Sequence, residues 1–297
     1  QDFVAFDRAM LSEHFVDPST GRDLPLSSEH TRYEQTTVGA FFCTAIKSEL
    51  GTDCCIINGA PIKANITYVN GTMSYDEIRS ELPFPLKMIV VEMTRKQLRD
   101  AIGFSRTYVE NGKPSAVMED GRVERRGYLQ VDFDYWKNMK EEEDMDISCN
   151  GAAGDDKLSK DDHDDEDILT VALPRNLLKG FCKIQPLMDL GKEIESRKAF
   201  PNEDDYLKAV DLIVRYCCKD RWATIAQTLS FDDIDENNDG SLSREEIRSA
   251  LQRALGEDEP SDALVERMLD AIDDDASGAI DEDEFNRMLS AARGRSN

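Results

Sequence analysis

One short polar run near the end of the chain constrains the local fold more than any other feature. Residues 235–246 read DENNDGSLSREE and lie between two apolar, helical patterns. Oxygen-bearing groups recur at alternate positions, and Gly240 stands at the sixth position, where a sharp turn requires it. A run with this spacing can fold back and aim its oxygens at one central point. The oxygens come from Asp235, Asn237, Asp239, Ser241, Ser243 and Glu246.

The same pattern begins again 38 residues later, in DDDASGAIDEDE at 273–284. Both runs fit the EF-hand loop, in which hard oxygens surround Ca²⁺ and the glutamate at position 12 supplies two of them. They predict an EF-hand pair that binds two calcium ions, with Leu242 and Ile280 pairing between the loops. The second loop offers Asp273, Asp275, Ser277, Ala279, Asp281 and Glu284. With four ligating carboxylates against three, we expect the second loop to bind calcium more tightly.

Negative charge is concentrated in two regions of the chain, whose net charge is −25. Residues 141–168 include 13 acidic and two basic residues, and residues 221–297 include 20 acidic and eight basic residues. The remainder is close to neutral, so we expect no nucleic-acid surface. Residues 137–167 are predicted to form a disordered acidic insert. The chain contains no run of 18 apolar residues, so we expect no membrane span.

The cysteines indicate a reducing environment. Their number, seven, is odd, two pairs are adjacent in sequence, and no CxxC motif occurs. We therefore expect a cytoplasmic protein with reduced thiols. The sequence starts at Gln1 rather than Met, so we also expect that a targeting segment or a further domain can lie upstream.

Strand and helix signals alternate before the loops, which predicts an α+β domain with a mixed sheet and packed helices. The predicted helices cover 35–50, a segment opened by the Ser74–Glu77 capping box, a segment opened by the Thr94–Gln97 capping box, and 203–218 with Asn202 as its cap. The predicted strands cover 53–58, 87–93, 127–136 and 168–174. We expect residues 1–200 to form this domain, 201–220 a connecting helix and 221–297 an all-α EF-hand pair.

Four stretches in a fixed order resemble a known family. They are EHTRYEQTTVGAFFCTAI (29–46), CCIINGAPIKANI (54–66), MSYDEIRSELPFPLKMIVVEMTRKQLRDAI (73–102) and GYLQVDF (127–133). Together they resemble the C-terminal, nucleotide-recognising domain of the 5′-nucleotidase family over residues 25–190. The resemblance implies a nucleotide or nucleoside ligand, held by an aromatic clamp, arginines and an asparagine. It also implies that hydrolysis takes place in a separate N-terminal domain with two catalytic divalent metals.

The resemblance places four candidate ligand-binding residues in this sequence. Arg32 stands at the position of a substrate-facing arginine, and Asn58 matches the asparagine of the glycine-rich motif. Lys63 replaces the arginine that ends this motif, which keeps the charge but loses the bidentate fork. Phe84 matches the first aromatic residue of the clamp.

Elsewhere the sequence departs from the family pattern. Ala60 and Pro61 replace glycines, Asn176 replaces the second clamp aromatic, and Cys182 replaces a ribose-binding aspartate. The neighbouring Phe181 can compensate for the lost aromatic if its loop is shifted.

We expect no catalytic residues in this chain, because none of its three histidines lies in a metal-binding motif. Two functions therefore stay open. The chain can be the calcium-sensing, nucleotide-recognising part of a hydrolase, or a non-catalytic scaffold that docks a protein partner under calcium control.

Overall fold

The computed structural model describes residues 23–109, 116–139, 164–200, 206–256 and 259–294. These residues form two compact units. The sheet unit comprises residues 23–72 and 79–210, and the helical unit comprises residues 73–78 together with 211–294. The predicted division at residues 200 and 220 stays a prediction. None of the described helices is both long and apolar enough to cross a membrane.

A five-stranded mixed sheet forms the centre of the sheet unit, in the order β5–β2–β6–β4–β7. Strands β2 and β6 are parallel, and the other neighbouring strands are antiparallel. The predicted α+β class is therefore confirmed. The strands of this sheet are β2 (Cys54–Asn58), β4 (Lys87–Thr94), β5 (Leu129–Val131), β6 (Ile168–Pro174) and β7 (Leu207–Lys208), and β1 (Leu26–Ser27) pairs separately with β3 (Thr67–Tyr68).

Local sequence signals fix the ends of the main helices. Thr36 caps the first helix by accepting a hydrogen bond from the Gly39 amide, and Gly51 ends it with a left-handed φ of +62°. Both predicted capping boxes, Ser74–Glu77 and Thr94–Gln97, are present. The helices of the sheet unit and its boundary are α1 (Thr37–Leu50), α2 (Tyr75–Glu81), α3 (Arg95–Thr107), α4 (133–139), α5 (Arg175–Leu178) and α6 (Gln185–Ser196).

Both faces of the sheet are covered, which explains why β2 reads as an unbroken apolar run. Cys54 and Ile56 belong to a core shared with α3, α5 and α6. The intervening Cys55 and Ile57 are also fully buried, and α1 packs against β2 and β5. The sheet unit therefore has helices on both sides.

Two predicted elements were wrong in extent. The strand predicted at 127–136 covers only Leu129–Val131, because Asp132 ends it and caps α4 by accepting the Tyr135 amide. The helix predicted at 203–218 instead starts at Ala209, because Leu207 and Lys208 pair with β4 as an edge strand. The predicted cap Asn202 and most of the predicted acidic insert, residues 140–163, lie outside the described residues.

The helical unit contains the two predicted loops and the helices around them. Leu242 pairs with Ile280 in a two-stranded sheet, as predicted. The helix that enters the first loop has a single turn, capped by Ser230. The elements in order are α7 (Ala209–Ile225), α8 (Phe231–Ile234), β8 (Ser241–Leu242), α9 (Arg244–Leu255), α10 (Asp262–Asp270), β9 (Ile280–Asp281) and α11 (Glu282–Gly294).

Candidate functional site

The two loops of the helical unit share one backbone pattern. The fourth residue of each loop has a φ of +57° or +58°, and the glycine at the sixth position has a φ of +83° or +86°. In both loops that glycine amide donates to the carboxylate of the first residue at 2.9 Å, from Gly240 to Asp235 and from Gly278 to Asp273. The first carboxylate is therefore turned into the loop in both cases.

Hydrogen bonds favour the charged form of two acidic side chains of the first loop, Asp239 and Glu246. The Ser241 hydroxyl, the Asn237 amide and the Ser241 backbone lower the pKa of Asp239. Burial opposes ionisation of Glu246, but hydrogen bonds from Ser243 and from the Asn237 backbone outweigh it and lower the pKa of Glu246. Ser243 is also the N-cap of α9, and its hydroxyl donates a hydrogen bond to the Glu246 carboxylate at 2.8 Å.

In the second loop, three predicted ligands converge. Carboxylate oxygens of Asp273, Asp275 and Glu284 lie within 4.8 Å of one another. Hydrogen bonds from the Ser277 hydroxyl and backbone lower the pKa of Asp275, which favours its charged form. Asp281 accepts the Glu284 amide at 2.7 Å and thereby orients the closing glutamate. Hard anionic oxygens at this spacing fit Ca²⁺.

A second candidate site, a cavity of about 240 Å³, lies within the sheet unit. Its wall combines aromatic rings with positive charge. Phe104 and Tyr108 are stacked with centroids 4.7 Å apart, and Arg125, Arg126 and Lys183 supply the cations. This combination suits an anionic ligand that contains a flat ring.

Two of the residues predicted to contact a ligand lie beside this cavity and are already engaged. Arg32 donates to Glu124, a lining residue, with 2.8 Å between Nη1 and Oε1. Asn58 is fully buried at the end of β2, and its Nδ2 donates to the Cys182 sulfur at 3.4 Å. Among the described residues, no hydrogen-bond partner exists for Asn58 Oδ1 or for the buried Nε of Arg125.

The segment that carries Arg32 is fixed in place by close backbone packing. The Thr31 hydroxyl donates to the Gly59 carbonyl at 3.2 Å, and the Gly59 amide donates to the Tyr128 carbonyl at 2.8 Å. A Cβ at Gly59 would lie 2.0 Å from the Thr31 oxygen, so only glycine fits.

The other two predicted ligand residues stand apart from the cavity wall. Partial desolvation, and after it the charge of Arg32, lower the pKa of Lys63, so the two cations are close to each other. Phe84 is 64% exposed and is not among the described residues that line the cavity. Its role as a clamp aromatic stays a prediction.

The loop at 180–183 contributes to the cavity both Cys182, which replaces the ribose-binding aspartate of the family pattern, and the neighbouring Phe181. The backbone reaches this arrangement through positive φ at Gly180 (+93°), Cys182 (+64°) and Lys183 (+52°). The role of Phe181 as a substitute for the lost clamp aromatic stays a prediction.

Sequence reasoning missed the rest of the cavity wall. Phe104 and Tyr108 lie at the end of α3, one helical turn apart, which is a pattern that core residues also show. Arg125 and Arg126 stand in the short basic run RVERRG before β5, and this run was the signal in the sequence.

Comparison with known proteins agrees with both parts of the chain. Residues 17–151 match the family model described as "5'-nucleotidase, C-terminal domain", and residues 226–290 match the model described as "EF-hand domain pair". The chain carries a 5′-nucleotidase C-terminal domain and an EF-hand pair. The resemblance found in the sequence is thereby confirmed, and calcium binding is the property that the EF-hand pair brings.

The individual relatives match only part of this protein. A calcium-binding protein of Oryza sativa subsp. japonica, CML23, is 37% identical over 59 residues, which is 20% of this chain and 38% of that protein. A 5′-nucleotidase precursor from Thermus thermophilus aligns at 14% identity with a TM-score of 0.39, covering 65% of this chain and 35% of that one. The NAD nucleotidase of Haemophilus influenzae aligns at 10% identity with a TM-score of 0.35, covering 66% and 34%. The chain thus spans about a third of the length of these solved nucleotidases.

Proposed function

We propose that this protein binds two calcium ions and a nucleotide-like ligand, and that it is the recognition and calcium-sensing part of a 5′-nucleotidase-like hydrolase. Hydrolysis is assigned to a separate domain with two catalytic metals. Within the described residues, the cluster of metal-ligating side chains is the one in the second EF-hand loop, which belongs to calcium rather than to phosphoester chemistry.

The calcium part of the proposal is supported above all by the convergence of Asp273, Asp275 and Glu284. Isothermal titration with CaCl₂ tests it, with two sites expected and affinities on the order of 10⁻⁷–10⁻⁵ M. Glu284→Gln and Glu246→Gln each remove the carboxylate that closes one loop, so each variant is expected to lose one site.

The matched controls for this titration are exposed glutamates next to the same ligands. Glu245→Gln and Glu282→Gln remove the same charge without removing a ligand, so both variants retain two sites. A wild-type titration without calcium binding, or equal loss in the controls, contradicts the proposal.

The ligand part is supported by the unpartnered Asn58 Oδ1 and Arg125 Nε beside a cavity with aromatic walls. Buried polar atoms without a partner are unfavourable, so a ligand that donates to one and accepts from the other stabilises the site. Three cations on the wall favour a phosphate-bearing ligand over a neutral nucleoside.

Titration with AMP and with adenosine tests this part. AMP is expected to bind more tightly, and Lys183→Met is expected to weaken AMP binding more than adenosine binding. Lys179→Met is the control, since Lys179 lies four residues away and is not among the described lining residues. Equal binding of AMP to both variants, or no binding of either ligand to the wild type, refutes the nucleotide assignment.

A scaffold without a ligand is the second candidate function. The Arg32–Glu124 ion pair favours it, because it neutralises a side chain that the resemblance assigns to the substrate. The outward position of Phe84 favours it as well. For a scaffold, neither AMP nor adenosine binds, while calcium still alters the capture of a protein partner.

A further inference from the structure

An apolar helix outside the two EF-hand motifs is packed into the same compact unit as the calcium loops. Helix α7 (Ala209–Ile225) precedes the EF-hand pair in sequence, and from Asp211 onwards it belongs to the helical unit. Its buried residues lie on more than one side of the helix, as in a helix surrounded by protein. They include Ile213, Cys217, Cys218, Trp222 and Ile225.

Trp222 anchors this helix through two contacts with the helices that flank the second loop. The ring is fully buried, and its Nε1–H donates to the Met268 carbonyl of α10 at 2.8 Å. Its edge packs against Phe285 of α11 with centroids 5.8 Å apart and planes at 89°. Helices α10 and α11 are the entering and leaving helices of the second EF-hand, so Trp222 occupies the groove between them.

A polar connection runs from α7 to the second loop itself. Arg215 donates from Nε to the Ala271 carbonyl and from Nη2 to Asp274 Oδ1, both at 3.2 Å. The Asp274 amide in turn donates to Glu284 Oε1 at 2.7 Å. Lys219 of α7 also lines a hollow of about 200 Å³ together with Asp274 and Glu284.

The glutamate that closes the second loop, Glu284, is therefore linked by hydrogen bonds to helix α7. Glu284 would supply both carboxylate oxygens to a bound cation, and its Oε1 also accepts the hydrogen bond from the Asp274 amide. The next residue, Phe285, is the ring that packs on Trp222. A movement of the start of α11 on calcium binding would therefore change the packing around Trp222.

We infer that α7 is the internal target helix of this EF-hand pair, and that calcium in the second loop tightens the packing around Trp222. The inference rests on the calcium binding proposed above. Calcium opens a sensor EF-hand and exposes an apolar groove that takes an amphipathic or apolar helix. Here that groove already contains α7, so an external helix has to displace it in order to bind.

Acrylamide quenching of Trp222 tests the inference in the Trp136→Phe background, where Trp222 is the only tryptophan. Calcium is expected to reduce the quenching constant and shift the emission to the blue. Glu284→Gln is expected to abolish this response, because contacts of Trp222 and Arg215 lead to the second loop. Glu282→Gln, which removes an exposed charge but no calcium ligand, is expected to retain it. Calorimetry on the same samples measures how much calcium is bound.

The exposed link provides a second variant that leaves the packed core intact. Arg215→Gln removes the guanidinium contacts to Ala271 and Asp274 from a side chain that is 42% exposed. Because coupling between two sites is reciprocal, it is expected to weaken calcium binding at the second loop, by about 5-fold or more for a typical coupling. Arg99→Gln, on α3 of the sheet unit, is the matched control, because Arg99 is 52% exposed and pairs with Asp165 rather than with a calcium loop. Its calcium affinity is expected to match that of the wild type.

The outcomes separate the inference from the calcium proposal on which it rests. Calcium binding with unchanged Trp222 quenching overturns the inference and leaves the proposed function standing. A response that is lost in Glu246→Gln but kept in Glu284→Gln also overturns it. Absence of calcium binding in the calorimeter refutes the proposed function, and the inference with it.

Discussion

Replacing Gln130 by glutamate tests the hydrogen bonds that fix the segment carrying Arg32. The Gln130 side chain is fully buried, and its Nε2 donates to the carbonyls of Thr31 (2.8 Å) and Glu34 (2.7 Å). Its Oε1 accepts from the Thr36 amide at 2.8 Å. An ionised glutamate keeps the acceptor but turns a second acceptor towards two carbonyl oxygens.

The expected cost follows from the groups left without a donor. The two carbonyls lose this donor, at about 1–3 kcal/mol each, so Gln130→Glu is expected to lower the free energy of unfolding by about 2–6 kcal/mol at pH 7. Burial beside two carbonyls raises the pKa of the new carboxyl in the folded state above its unfolded value of about 4.3. The protonated form is thus the tolerated one, and the penalty shrinks as the pH falls from 7 towards that unfolded value.

Hydrogen–deuterium exchange at the Thr36 amide measures the effect locally, and urea denaturation measures it globally. A loss of 2 kcal/mol corresponds to exchange that is about 30-fold faster. Gln227→Glu is the control, because Gln227 is exposed and water can solvate the new charge. A Gln130→Glu variant within about 0.5 kcal/mol of the wild type, which is the range of ordinary surface substitutions, refutes the reasoning. A penalty that does not change between pH 7 and pH 5 does so as well.

Three further changes probe the packing and charge of the sheet unit. Hydrogen bonds from the Thr170 hydroxyl and backbone amide lower the pKa of Asp53 in the folded state. The Asp53 carboxylate therefore stabilises the fold above its unfolded pKa, and this contribution is lost as the pH falls through the lower folded value. The urea midpoints of Asp53→Asn and of the wild type should converge below about pH 4. A Cβ at Gly191 would lie 2.2 Å from the Leu178 carbonyl, so Gly191→Ala should destabilise the protein by about 1–3 kcal/mol in urea melts. Gly103 lies within α3 with nothing near its Cβ position, so Gly103→Ala should stabilise by up to about 1 kcal/mol, and destabilisation would show that the site is crowded.

Elements whose boundaries depend on local chemistry followed from the sequence. The capping boxes at Ser74 and Thr94 and the stop at Gly51 act over three or four residues, so the sequence pattern contains everything they need. The pairing of Leu242 with Ile280 followed in the same way from the loop pattern.

Elements that depend on partners distant in sequence did not follow. The alternation after Gly127 predicted a long strand, but Asp132 is buried, accepts the Cys55 amide at 3.1 Å and starts a helix instead. Leu207 and Lys208 form a strand because they pair with the edge of β4, and the local sequence pattern before α7 does not indicate this pairing. The cavity is formed by the end of α3, the run before β5 and the loop at 180–183, so its wall could be recognised only after folding.

The close contact at Gly59 means that different segments beside the cavity tolerate substitution to different degrees. On the side of Arg32, the backbones of Thr31 and Gly59 touch so closely that a single added methyl group has no room. By contrast, Phe181 and Cys182 belong to the loop at 180–183, whose side chains are partly exposed to solvent. A library that seeks a new ligand preference should therefore randomise positions 181–183, where larger side chains can extend into solvent. It should keep Gly59, where no larger residue fits.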